Sequence, residues 1–146
     1  MNLATTYMGK ALQSPLIVGS SPLTDDLDSV KRFEDNGAAA LILRSLYEEE
    51  ITCEQMSDFF STESYTDSFP EATSYTPEPE SAPGPSEYLE HLHRVKQAVS
   101  IPVIASLNGS TPGGWMSYAR LMEEAGADGI ELHLYHAASD ASTNSA

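Results

Sequence analysis

The sequence predicts an α/β fold built on a parallel sheet, and three observations predict it. The first is the punctuation between Ile101 and Leu134. An apolar run, Ile101-Pro-Val-Ile-Ala-Ser106, meets a Gly/Pro/Asn loop. A helical pattern from Trp115 then ends in Glu124-Ala-Gly-Ala-Asp128, and a second apolar run, Gly129-Ile-Glu-Leu-His-Leu134, follows. Strand, loop, helix and strand in this order make a βαβ unit, whose parallel strands carry the helix on a sheet face. The second is an internal repeat. Pro15-Leu-Ile-Val-Gly-Ser20 resembles Pro102-Val-Ile-Ala-Ser106, and Phe33-Glu-Asp-Asn-Gly-Ala-Ala39 resembles Met122-Glu-Glu-Ala-Gly-Ala-Asp128, roughly 87 to 89 positions later. The third is length. A chain of 146 residues supports one domain with its own core, but a complete eight-stranded α/β barrel typically has about 250 residues. Two tandem βαβ units give roughly the first four strands of a (β/α)8 TIM barrel. That half is expected to span 1–136.

Taken in order, Leu3–Tyr7 and Lys10–Gln13 flank Met8-Gly9 and predict an N-terminal hairpin. Pro15–Gly19 predicts the first core strand, followed by the loop Ser20–Thr24. Thr24 suits a helix N-cap, with Asp25, Asp26 and Asp28 favoured by the dipole in the first turn. Leu27, Val30 and Phe33 mark the buried side of that helix, and Asn36-Gly37 its C-cap. Ala38–Leu43 predicts the second strand, and Leu46 to about Phe60 a second helix. Residues 61–86 are rich in Ser, Thr, Glu and Pro and predict a long acidic loop. Its aromatics Tyr65, Phe69 and Tyr75 suggest partial docking; a floppy excursion is the equal alternative. Ser86 suits the N-cap of a helix carrying Tyr88, Leu89, Leu92, Val95 and Val99 on its apolar side. Ile101–Ser106 is the third strand. Trp115–Ala125 is the next helix, with Tyr118, Leu121 and Met122 expected inward, and Ile130–Leu134 is the fourth strand. From Ala137 the chain is too small and polar to pack, so 137–146 is expected to be a disordered tail.

The formal net charge is −15, from 22 acidic and 7 basic side chains. Such a surface repels nucleic-acid phosphates and anionic lipid, so neither is an expected partner. A single cysteine, Cys53, excludes an intrachain disulfide and a Cys-rich zinc site, and no metal site is expected. The N-terminus lacks the pattern of a signal peptide, and no apolar run approaches the roughly 20 residues of a membrane span. A cytoplasmic protein is the default expectation. A half barrel leaves two sheet edges open, which favours association through them, a homo-oligomer included, or membership of a longer chain.

Ligands of parallel α/β sheets bind at the carboxyl ends of the strands. Four groups lie there. Ser20 and Ser21 follow the first strand and suit polar contacts to a planar ring or phosphate, or an ordinary Ser-Pro turn. Arg44 and Ser45 follow the second; Arg44 could offset an anion or pair with Glu48 or its neighbours. Ser106, Asn108 and Gly109 close the third strand. The following Thr111-Pro-Gly-Gly114 opening is no GxGxxG fingerprint. On the fourth strand, alternation puts Glu131, His133 and Tyr135 on one face and Leu132, Leu134 and His136 on the other. His133 or His136 could act as a general acid/base near neutral pH. His91 and His93 diverge on their helix and do not suit a shared metal.

Several of these segments together resemble the dihydroorotate dehydrogenase-like flavoproteins: Thr5-Thr-Tyr-Met-Gly9, Ser14-Pro-Leu-Ile-Val-Gly-Ser-Ser-Pro-Leu23, Glu34-Asp-Asn-Gly-Ala-Ala-Ala40, Ser68-Phe-Pro-Glu-Ala72, Ile101-Pro-Val-Ile-Ala-Ser-Leu-Asn-Gly109 and Glu124-Ala-Gly-Ala-Asp128. The resemblance implies a (β/α)8 barrel that binds FMN at the strand carboxyl ends. It also implies hydride exchange between flavin and a dihydropyrimidine or similar small substrate. By position it implies cofactor contacts from Gly19, Ser20, Ser21, Arg44, Ser45, Ser106, Asn108 and His133. Arg44 lies at or beside the place of a flavin-contacting lysine. Glu131-Leu-His-Leu-Tyr-His136 resembles the family's Glu-Leu-Asn-Leu-Ser-Cys segment; His133 replaces an asparagine, and His136 stands where the Ser or Cys base belongs. The family's later strands, with their phosphate-binding glycines, are absent. The expectation is therefore an FMN-dependent oxidoreductase fold that is inactive as this chain alone. The alternatives are a non-catalytic or degenerate half barrel, and a lyase or isomerase of phosphorylated sugars.

Overall fold

The computed structural model describes residues 2–53, 84–109 and 115–134. Strands β1 (Thr5–Tyr7) and β2 (Lys10–Leu12) pair antiparallel as the predicted hairpin. Met8 and Gly9 both have positive φ, 49° and 74°, the backbone twist that a two-residue hairpin turn requires. The main sheet has four parallel strands in the order β3 (Ile17–Val18), β4 (Ala40–Tyr47), β5 (Val103–Gly109) and β6 (Gly129–Leu134). The connections carry helices α1 (Leu27–Asp35), α2 (helical at 48–53), α3 (Pro85–Ala98) and α4 (Met116–Glu124). This strand order is consistent with four strands of a (β/α)8 arrangement.

The core lies between the sheet and one helical layer. Val30 of α1, Tyr88, Leu92 and Val95 of α3, and Met122 of α4 pack against Leu41, Leu43, Leu46, Val103, Ala105 and Leu107. The other sheet face has its own small cluster at the amino ends of the strands, where Ile17 and Ala40 meet Leu12 of the hairpin. There the side chain of Met8 fills the space beside Gly129, against Ile104. The gap left between hairpin and sheet is about 10 Å³, at or below what one water occupies.

The internal repeat is visible as two copies of one helix ending. After α1, Gly37 (φ 92°) lets its N–H bond to the Glu34 carbonyl while Ala38 N–H bonds to that of Phe33. After α4, Gly126 (φ 100°) and Ala127 make the same pair of bonds to Glu123 and Met122. Both are Schellman motifs. The chain then meets the sheet alike: Ala39 N–H bonds to Leu16 O, and Asp128 N–H to Val103 O.

Several local expectations change. Thr24 does not cap α1. A 3-10 turn, Pro22–Thr24, intervenes, and Asp26 is the N-cap, its carboxylate accepting from Ser29 N–H at 2.9 Å. Thr24 is fully buried instead. Ser86 is not the cap of α3; Gly84 is, because Pro85 supplies a pre-set φ at the first helical position. The first core strand is shorter than Pro15–Gly19. The second runs to Tyr47, so helix α2 starts at 48 and not at Leu46. Leu121 is 39% exposed and faces outward, while Met122 takes the buried position. The loop over 61–83, with Tyr65, Phe69 and Tyr75, and the tail 137–146 lie outside the described residues, as do residues 54–60 of the second predicted helix. Among the described residues no helix is long and apolar enough to cross a membrane.

Candidate functional site

On the sheet face away from the helices, register stacks three cross-strand rows. Ile42, Ile104 and Gly129 form the lowest, against the hairpin. Ser45, Ser106 and Glu131 form the next, and Tyr47, Asn108 and His133 the uppermost. The face thus changes from apolar to polar toward the strand carboxyl ends.

The middle row is joined by hydrogen bonds. Ser20 Oγ, just past β3, lies 3.2 Å from Ser45 Oγ, which lies 2.7 Å from Ser106 Oγ. The Ser106 hydroxyl donates to Glu131 Oε2 at 3.0 Å, and His133 Nε2 lies 3.1 Å from that same oxygen. Side chains from all four strands or their ends are therefore linked in one line. Ser106 is wholly buried, whereas Ser20 is exposed and the His133 side chain is 53% exposed.

This row owes its alignment to an irregularity in β4. Leu43 and Arg44 together stand opposite one residue of β5, between the pairs Ile42/Ile104 and Ser45/Ser106. This extra residue is a β-bulge, which interrupts the ladder. Buried backbone groups freed this way need other partners. Thr24 Oγ1 accepts from Arg44 N–H at 3.0 Å while donating to Ser21 O at 2.7 Å. Tyr88 of α3 accepts from Ser106 N–H at 3.0 Å and donates to Ser106 O at 3.4 Å. Burial pushes the Tyr88 hydroxyl up to about 12, partly offset by its Ser106 hydrogen bond and by Arg44.

The bulge also decides the direction of Arg44. Its guanidinium lies in the helical layer, 3.3 Å from Asp25 and 3.6 Å from Glu50, and 5.9 Å from the Tyr88 ring centre. It borders a cavity of about 320 Å³ that also meets His91 and Arg94 of α3. His91 Nε2 donates to Thr24 O at 2.7 Å. Arg44 thus meets the serine row only from behind, its Nη1 donating to the Ser45 carbonyl at 3.4 Å.

Of the residues nominated from sequence, Ser20, Ser45, Ser106 and His133 come together. Asn108 stands one row above Ser106. Gly19 precedes Ser20, and a Cβ built on it meets no atom within 4 Å. Ser21 contributes its carbonyl to Thr24 rather than to the row. His136, Tyr135 and the loop 110–114 lie outside the described residues. Glu131 was not nominated, although strand alternation already placed it beside His133.

A second polar cluster closes the amino ends of the strands. Asp128 accepts from Lys96 at 2.6 Å, Lys10 at 2.9 Å and Val103 N–H at 2.8 Å. Burial raises its pKa, but these donors outweigh that and hold the carboxyl at about 2. The cluster ties α3, the hairpin and β5 to the start of β6.

No protein-family model matches the sequence. A protein of Aeropyrum pernix described as "Putative dihydroorotate dehydrogenase A (fumarate)" is 44% identical over 52 residues, covering 36% of this chain and 17% of that protein. The catalytic subunit of dihydroorotate dehydrogenase B (NAD(+)) of Thermoplasma acidophilum is 29% identical over 133 residues, covering 91% of this chain and 41% of that protein. The chain therefore spans less than half the length of these relatives. Over these stretches the chain is similar to two proteins named as dihydroorotate dehydrogenases.

Proposed function

We propose that this chain forms the first four strands of an FMN-dependent, dihydroorotate dehydrogenase-like barrel. Its reaction would be hydride transfer between the flavin and a dihydropyrimidine or similar small substrate. The observation that carries the reading is the linked row Ser20–Ser45–Ser106–Glu131–His133 at the carboxyl ends of four parallel strands. Similarity to two proteins named as dihydroorotate dehydrogenases supports it.

The residues fit the ring of such a cofactor. Gly19, Ser20, Ser45 and Ser106 are small, and the space beside Gly19 is open. A floor of small side chains with hydroxyls suits a planar polar heterocycle. Gly19, Ser20, Ser21, Ser45, Ser106, Asn108 and His133 would hold and orient FMN, which supplies the hydride chemistry when bound. Arg44 would act from behind the row, through Tyr88 and the bulge. His136 would move the proton. A cytoplasmic protein acting on a small molecule, without nucleic acid or membrane, completes this reading.

A second reading, a non-catalytic half barrel, is favoured by one observation. Arg44, the cation nominated for a cofactor anion, is engaged with Asp25 and Glu50. The test is to mix purified chain with FMN, desalt, and record the visible absorbance. Retained flavin bands are the expected result. A colourless chain would overturn the flavin reading and favour the second.

A further inference from the structure

We infer that Glu131 sets the proton positions along the whole row, so that each exposed end, Ser20 Oγ on one side and His133 Nδ1 on the other, meets a ligand as an acceptor suited to an N–H group. This deepens the proposed function and rests on it for the kind of ligand. The proton positions rest on the chain alone.

An ionised carboxylate only accepts, and each serine hydroxyl has one proton. Ser106 gives its proton to Glu131 Oε2. The contact at 2.7 Å must then be filled by the Ser45 proton, and the contact at 3.2 Å by the Ser20 proton. The three hydroxyls point one way, toward β6. Ser20 is left at the open end with bare lone pairs. At the other end, a neutral imidazole can bond the Glu131 oxygen 3.1 Å away only by carrying its proton on Nε2. Nδ1 is then the bare nitrogen. Burial of Ser106 removes the water that would otherwise scramble the order. A ligand carbonyl oxygen would set lone pair against lone pair at either end. An N–H group would be matched. Glu131 acts here as a positioning residue, through Ser106 and His133.

The chain has four histidines, so the tautomers can be read by long-range proton–nitrogen NMR on histidine-labelled protein. The His133 signal is assigned by its loss in His133→Asn. The expected result is the Nε2–H tautomer for neutral His133. Glu131→Ala should shift it toward a mixture, and Glu131→Gln, which keeps a side-chain oxygen, should restore it. A merely structural role for Glu131 would lower the melting temperature in Glu131→Ala and leave the tautomer unchanged. Finding Nδ1–H in the wild-type chain overturns the inference, and that spectrum decides even where the alanine variant fails to fold. For the ligand, uracil and 1,3-dimethyluracil are titrated against the backbone signals of Ser20 and His133. Uracil should bind roughly tenfold tighter, the worth of about one hydrogen bond at one end of the row. Equal responses, or none to uracil, overturn the ligand class. Loss of FMN retention with the tautomer result intact would sink the flavin reading alone.

Discussion

The Tyr88 hydroxyl of α3 sits 3.0 Å from the backbone nitrogen of Ser106 and bonds that residue's carbonyl as well, at the break in register between β4 and β5. A side chain from the helical layer thereby completes a sheet ladder directly behind the buried Ser106 hydroxyl. Tyr88→Phe keeps the ring and removes that partner. Leaving buried backbone groups unpaired costs about 1–3 kcal/mol. Urea unfolding of the variant should show this loss; an unchanged midpoint would mean that the ladder closes another way.

Alkali should act on the same residue. The Tyr88 pKa rises from 10.0 to about 12, so the folded state holds its proton more tightly than the unfolded one. Its contribution is fully present below pH 10 and is lost as pH rises through about 12. Tyr88→Phe should remove this part of the alkaline slope. The same slope in both proteins would refute the assignment.

Acid should act on Asp128. Its pKa falls from 3.8 to about 2, so its stabilisation is present above pH 3.8 and disappears as pH falls through about 2. Asp128→Asn should cost on the order of 1–3 kcal/mol at neutral pH, the worth of hydrogen bonds to a charged group. It should also flatten the acid limb of stability. A variant that loses nothing at neutral pH would show that Lys10 and Lys96 find equal partners elsewhere.

Gly109 closes β5 against the only tryptophan. A Cβ built there would lie 2.6 Å from Trp115 Cδ1. Gly109→Ala should therefore displace the indole, shift its emission to longer wavelength and increase its quenching by iodide. Overpacking of this kind costs about 1–3 kcal/mol. Emission identical to wild type would mean that the strand end moves and the indole stays.

The two Schellman endings should respond alike. Gly37→Ala and Gly126→Ala each force a side chain into positive φ, at 92° and 100°, for about 1 kcal/mol each. Thermal melts should give similar losses that add in the double variant. A large loss at one site only would mean that the repeats are unequal in energy.

Much of the fold was legible because helix endings and strand starts are local. Gly37 and Gly126 announce the same turn by their residue type, and the apolar runs 101–106 and 129–134 are bounded by it. The bulge was not legible. Strict alternation from Leu41 puts Leu41, Leu43 and Ser45 on one face, yet the structure keeps Leu41 and Leu43 in the core and turns Ser45 to the opposite side. One extra residue moved Arg44 into the helical layer and brought Ser45 to Ser106. The partners that make the bulge tolerable, Thr24 and Tyr88, are 20 and 18 positions from the groups they bond, and no local pattern reports such distances. Caps misled for a similar reason. Thr24 is a good capping residue used for a buried tertiary bond. Glu131 needed only the strand period, which puts it on the face of His133.

The Met8 side chain against Gly129 and Ile104 works as a stopper in the bottom of a cup. With only about 10 Å³ left beneath the strands, trimming the stopper in Met8→Ala would open a hollow beside Gly129 and loosen the seat of the hairpin on the sheet.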